Sequence, residues 1–216
     1  WRIIWPAHQI IWSSERDNWA QLYLYDLNTG KLINKITTGE GPVTQIAHVD
    51  ENGRSLIVGA LGRNPSEDPY FKHYYRVGLD GKGWKELTPE SGDHTIQVSS
   101  DGRYFVETYS KPDVPPTVVL RDATGRVVMQ LGHMDISKLV ASGWKPPIPF
   151  TVTAHDGKTK LYGLMFRPTN FDSTRKYPII NHPYPGPQSG SVGSRSFSPA
   201  RGDRQALAEL GFVVIT

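Results

Sequence analysis

Residues 1 to about 140 alternate apolar and polar positions in short runs, and the runs repeat. Gln21-Leu22-Tyr23-Leu24-Tyr25-Asp26-Leu27 leads into Asn28-Thr29-Gly30-Lys31; His73-Tyr74-Tyr75-Arg76-Val77-Gly78-Leu79 into Asp80-Gly81-Lys82; and Thr117-Val118-Val119-Leu120-Arg121-Asp122 into Ala123-Thr124-Gly125-Arg126. Each is an alternating strand followed by a turn with Gly and a basic residue. Gly30 and Gly81 lie 51 residues apart, and Gly81 and Gly125 lie 44 apart. A second phase agrees: Asp50-Glu51-Asn52-Gly53-Arg54-Ser55-Leu56-Ile57-Val58 matches Ser99-Ser100-Asp101-Gly102-Arg103-Tyr104-Phe105-Val106, with the glycines 49 apart. Asn-Gly and Asp-Gly between strands signal hairpins, because Gly accepts the positive φ those turns need. Four short strands per ~45 residues is the signature of a β-propeller blade. The pattern predicts about three blades, the first incomplete. A β-sandwich also has regular short strands, but the two-phase repeat favours the propeller. Three blades do not close a ring, so further blades are expected upstream of Trp1.

The grammar changes at Gly143-Trp144-Lys145-Pro146-Pro147-Ile148-Pro149, a stiff proline-rich connector. The chain therefore divides into blades over 1–145 and a second domain over 146–216. Phe150-Thr151-Val152-Thr153-Ala154, a turn at His155-Asp156-Gly157, and Leu161 to Arg167-Pro168 read as a new hairpin. Then Ile179-Ile180, a Gly/Pro-rich loop, a helix over Ala206 to Leu210 capped by Gly211, and Phe212-Val213-Val214-Ile215 read as strand, crossover helix, strand, with the two strands parallel. The fold class is mainly β, with the start of an α/β sheet after the blades.

Composition narrows the function classes. Hydrophobic content of 38% and aromatic content of 11% support a packed core. The 21 Gly and 17 Pro punctuate the strands. Net charge is +3, but Lys and Arg are scattered among acids, as in Arg16-Asp17 and Lys85-Glu86. With no basic run, no nucleic-acid partner is expected. Cys is absent, which excludes disulfides and thiolate metal sites. No H-E-x-x-H or similar ligand spacing occurs, so neither metal nor cofactor is expected. No apolar run approaches the ~20 residues that span a bilayer. The chain opens with Trp1 in mid-pattern, so both ends read as internal to a longer protein.

These motifs, in order, are similar to the dipeptidyl peptidase IV branch of the prolyl oligopeptidase family of serine peptidases. The likeness rests on Trp12-Ser13-Ser14-Glu15-Arg16-Asp17-Asn18-Trp19 before Leu22-Tyr23-Leu24-Tyr25-Asp26, and on Gly92-Asp93-His94. It continues through Asp156-Gly157, Arg167-Pro168, Asn170-Phe171-Asp172, Lys176-Tyr177-Pro178 and Tyr184-Pro185-Gly186-Pro187. The resemblance implies a propeller capping an α/β-hydrolase with a Ser-Asp-His triad. The serine would stand on a G-x-S-x-G elbow, and all three residues would lie beyond Thr216. It implies peptide substrates, release of N-terminal dipeptides with Pro or Ala second, acids upstream of Trp1 that grip the free amine, a homodimeric parent and a periplasmic or secreted location. Rival readings are an oligopeptidase, an acylaminoacyl-peptidase or an esterase of the same architecture, or a catalytically dead scaffold. The 216 residues alone are expected to be inert and poorly stable, since open blade faces and a barely begun sheet leave apolar surface uncovered.

Tyr184 is the candidate catalytic residue. A lone Tyr in a proline-rich turn reads first as packing. The resemblance assigns it the phenol O–H that hydrogen-bonds the oxyanion of the tetrahedral intermediate, beside a backbone N–H next to the serine. The place suits the role, because ligands of α/β sheets gather at the carboxyl ends of strands. Pro183, Pro185 and Pro187 stiffen the loop and Gly186 lets it turn. Ser189-Gly190-Ser191-Val192-Gly193 nearly spells the elbow, but Ser189 stands where Gly is required and no strand directly precedes it, so Ser191 is rejected as nucleophile. His155 and Asp156, adjacent on a strand, point to opposite faces and form no dyad. His182 reads as a solvent-facing loop residue, Trp12, Trp19, Tyr23 and Tyr25 as packing between blades, and Arg195, Arg201 and Arg204 as capping or surface pairing. Asp203 fits the first-turn acid preference of the helix.

Overall fold

The computed structural model describes residues 1–184 and 192–216. The first sheet contains β1 (Arg2–Ile4), β2 (Gln9–Asp17), β3 (Trp19–Asp26) and β4 (Leu32–Lys35), and the second β5 (Val43–Asp50), β6 (Ser55–Ala60), β7 (His73–Gly78) and β8 (Lys85–Glu86). The third contains β9 (Asp93–Val98), β10 (Tyr104–Lys111), β11 (Val114–Asp122) and β12 (Val127–His133). Each has sequential strand order, as a meander of hairpins gives. These are three blades of a partial propeller. The first is complete in strand number, contrary to the sequence reading: β1 is three residues long, too short to show alternation.

The blades pack face to face. Ile4, Ile11, Leu22, Leu24 and Ile36 of the first meet Val43, Leu56, Val58, Ala60, Tyr75 and Val77 of the second in one buried cluster. The other face of the second blade, with Ile57 and Tyr74, packs with Phe105 of the third. A blade covered on both sides needs apolar residues at consecutive positions, which is why Leu56-Ile57-Val58 breaks strict alternation.

The repeat reappears in hydrogen bonds. The Thr37 hydroxyl accepts from Leu22 N–H at 2.8 Å in the first blade, and Thr88 accepts from Tyr74 N–H at 2.8 Å in the second. The repeat glycines are also constrained by close approach. A Cβ on Gly81 would lie 2.9 Å from the Lys35 carbonyl, and one on Gly125 would lie 2.9 Å from Leu87 backbone atoms, and both glycines have positive φ. The Gly53/Gly102 match is shifted by one residue: Arg54, not Gly53, takes the left-handed conformation, while Asp50 Oδ1 accepts from Gly53 N–H at 2.7 Å.

The fourth sheet is mixed and runs β13-β14-β16-β15, with β13 (Ile148–Thr153), β14 (Lys160–Phe166), β15 (Ile179–Asn181) and β16 (Val213–Ile215). β13 and β14 form the predicted hairpin, from Ile148↔Met165 to Thr153↔Lys160. Ile148 and Pro149 belong to the strand and not to the connector. Proline is tolerated there because β13 is an edge. The predicted helix is present as α2 (Arg204–Glu209), and among the described residues the structure adds α1 (Ser137–Ala141), a single turn too short for periodicity. By contacts the chain forms two compact units, 1–109 with 118–132, and 110–117 with 133–216.

Candidate functional site

In the second unit the predicted strand–helix–strand is present. β15 and β16 are parallel, pairing Ile179↔Val213, Ile180↔Val214 and Asn181↔Ile215. α2 is fixed against this sheet. Its Ala208 is fully buried with Leu164, Phe166, Val192 and Val214. Gln205 Nε2 donates to the Arg167 carbonyl at 3.1 Å, and Glu209 carboxylate oxygens accept from Thr169 N–H at 3.1 Å and from its hydroxyl at 3.0 Å.

Tyr184 stands three residues past the carboxyl end of β15 and is 61% exposed. Pro185, Gly186, Pro187 and Ser191 lie outside the described residues. The path to Tyr184 is set just before it. His182 N–H donates to the Ile215 carbonyl at 2.8 Å, extending the ladder one step beyond β15. Pro183 has no N–H to continue it, so the chain leaves the sheet there. The His182 ring is not simply solvent-facing: its Nε2 lies 3.4 Å from Asp203 Oδ1. Asp203 precedes α2 and makes no side-chain capping bond.

The basic residues of this region differ from the surface reading. Arg195 is buried, and its Nη2 donates to the Tyr162 carbonyl at 3.4 Å. Arg201 donates to the carbonyls of Ser194, at 2.9 Å, and Ser196. Backbone carbonyls without ladder partners draw guanidinium donors inward. Asp156 is explained by its turn, accepting from Lys158 N–H at 2.9 Å and Thr159 N–H at 2.8 Å.

In the first unit Tyr23 is buried, and its hydroxyl donates to Asp17 Oδ2 at 2.7 Å, but Trp12 and Trp19 are only partly covered, 46% and 36% exposed. Trp19 Nε1 donates to Glu40 Oε2 at 3.0 Å, which keeps the indole at the surface.

A buried ionic network was not anticipated. His94 and Glu107 are fully buried, with His94 Nδ1 2.5 Å from Glu107 Oε1 and Nε2 2.7 Å from the Glu90 carbonyl oxygen. Both ring nitrogens face acceptors. The buried Arg121 donates through Nε to Glu107, through Nη2 to Glu90 and through Nη1 to the Gly125 carbonyl at 2.8 Å. His73, whose ring lies 4.6 Å from that of His94, approaches Glu67 Oε1 at 3.0 Å and the Thr88 carbonyl at 2.6 Å. Burial pushes the Glu90 carboxyl up, but the hydrogen bond from Arg121, a backbone hydrogen bond and the charge of Arg121 together outweigh this and hold it below its usual value. The sequence carried a signal: Glu107 follows Phe105 by two positions in an apolar strand and so shares its buried face.

Comparison with known proteins places the chain in a family. The sequence profile of the "Dipeptidyl peptidase IV (DPP IV) N-terminal region" matches residues 2–116, more than half of the chain. A probable dipeptidyl-aminopeptidase B of Emericella nidulans is 31% identical over 190 residues, covering 84% of this chain and 20% of the relative. Dipeptidyl peptidase 4 of Arthroderma otae is 26% identical over 183 residues, covering 83% of this chain and 23% of the relative. Among solved structures, Porphyromonas gingivalis dipeptidyl peptidase 4 matches 96% of this chain with a TM-score of 0.76 at 25% identity. A putative dipeptidyl aminopeptidase IV of Bacteroides ovatus matches 99% with a TM-score of 0.78 at 23% identity, a likeness of fold. The chain spans 20% and 23% of those two curated relatives, and 28% and 32% of the two solved chains.

Proposed function

Because the chain belongs to the dipeptidyl peptidase IV family, we propose that it is a segment of a serine peptidase that removes N-terminal dipeptides, with Pro or Ala favoured in the second position. In this reading residues 1–145 are propeller blades and 146–216 begin the hydrolase domain. The observation that carries it is Tyr184, on the loop leaving the carboxyl end of a parallel strand, in a chain of this family.

The chemistry is acyl transfer. A serine hydroxyl from a later G-x-S-x-G elbow attacks the peptide carbonyl while a histidine takes its proton and an aspartate orients the histidine. The carbonyl oxygen becomes an oxyanion, and Tyr184 O–H donates to it. A phenol suits this step: it is a neutral donor, and its hydrogen bond strengthens as charge develops on the oxygen. The His then returns the proton to the leaving amine, and water cleaves the acyl-enzyme.

The test is a digest of two peptides by the full-length protein, alike except that one has a free amine and the other an acetyl cap, both with Pro second. Mass spectrometry should find the dipeptide released from the free peptide alone. Internal cuts, or removal of the acetylated residue, would replace this reading with an oligopeptidase or an acylaminoacyl-peptidase.

A further inference from the structure

We infer that His182 and Asp203 form a positioning pair that aims Tyr184. The inference rests on the oxyanion reading of Tyr184 and adds two residues to it.

Between the last ladder bond, at His182, and Tyr184 stands only Pro183, which fixes its own φ but donates nothing. The direction in which the chain departs at His182 therefore sets the point from which the Tyr184 side chain starts. The ring of His182 provides a second anchor at that place, because its Nε2 faces Asp203 Oδ1 at 3.4 Å. The backbone of Asp203 is fixed. Its carbonyl accepts from Leu207 N–H at 2.9 Å, and α2 is held by buried Ala208 and by the Gln205 and Glu209 bonds to the segment after β14. The pair thus links the strand end that leads to Tyr184 with the start of α2. Both side chains are substantially exposed, 37% and 65%, so the pair adds little to global stability. Its effect is geometric: a displacement of ~1 Å from productive alignment can cost on the order of a hundredfold in rate.

The experiment is a mutant cycle on the full-length enzyme, with kcat and KM measured for an Xaa-Pro anilide. His182→Ala and Asp203→Ala should each lower kcat about tenfold with KM little changed, a loss below the full effect of misalignment. The double variant should be no worse than either single. His182→Gln, which keeps a donor toward Asp203, should recover most of kcat. In a Tyr184→Phe background His182→Ala should have no further effect, since there is no longer a phenol donor to aim. Unchanged kcat in both single variants, or the same loss with and without the Tyr184 hydroxyl, would overturn the pairing and leave the oxyanion reading standing. If Tyr184→Phe alone left turnover intact, both would fall. Circular dichroism of each variant separates these outcomes from misfolding.

Discussion

Tyr184→Phe in the full-length enzyme is expected to lower kcat about 10²–10³-fold, the usual effect of losing one oxyanion donor, with little change in KM. The substitution removes one oxygen and leaves the ring. The residue is largely exposed and lies outside the buried core clusters. The ground-state carbonyl gains little from the phenol, whereas the tetrahedral oxyanion gains much, so the loss belongs in kcat and not in KM. Steady-state kinetics on a dipeptidyl anilide, with thermal melting as the control for folding, measures it. Turnover within twofold of the parent would remove Tyr184 from the reaction.

Glu107→Ala should destabilise the blades by about 3–5 kcal/mol, the cost of removing one partner from a buried ion pair. Arg121 and His94 would remain buried, each facing the position of the lost carboxylate. Glu107 lies on the third blade between His94 of β9 and Arg121 of β11, and Arg121 also reaches Glu90, on the segment between the second and third blades. The network therefore ties three strands of the third sheet to the segment that leads into it, as well as satisfying its own charges. Calorimetry of the full-length protein should show the propeller transition moved to lower temperature. A change below about 1 kcal/mol would mean that water or a neighbouring group replaces the carboxylate. Acid acts on the same network. Glu90 is held below its usual value when folded, so its contribution is present above the ordinary carboxylate range. It is lost as pH falls through the depressed folded value.

The periodic parts of this protein were legible because a local rule governs them. The turns at Gly30, Gly81 and Gly125 are visible as residue types, and period-2 alternation marks the strands they end. The strand–helix–strand order at the candidate site followed from two apolar runs and Gly211. What escaped depended on contacts far apart in sequence, or on elements too short to show a period. β1 and α1 are three and five residues long. Arg195 reads as a surface cation until Tyr162, on a strand 33 positions earlier, is placed beside it. The His94–Glu107–Arg121 network spans three strands, and each member looks like an ordinary polar residue in its own segment. Asp203 was read as a helix-terminal acid, whereas its carboxylate faces His182 across 21 residues.

The central claim is that this segment belongs to a serine peptidase in which Tyr184 assists a nucleophile located elsewhere in the chain. Labelling the full-length protein with a fluorophosphonate, followed by peptide mapping, tests it most directly. The account predicts a single adduct on the serine of a G-x-S-x-G sequence C-terminal to Thr216, lost on heat denaturation before labelling. An adduct on Ser191, or dipeptide release that persists with no serine labelled, would contradict it.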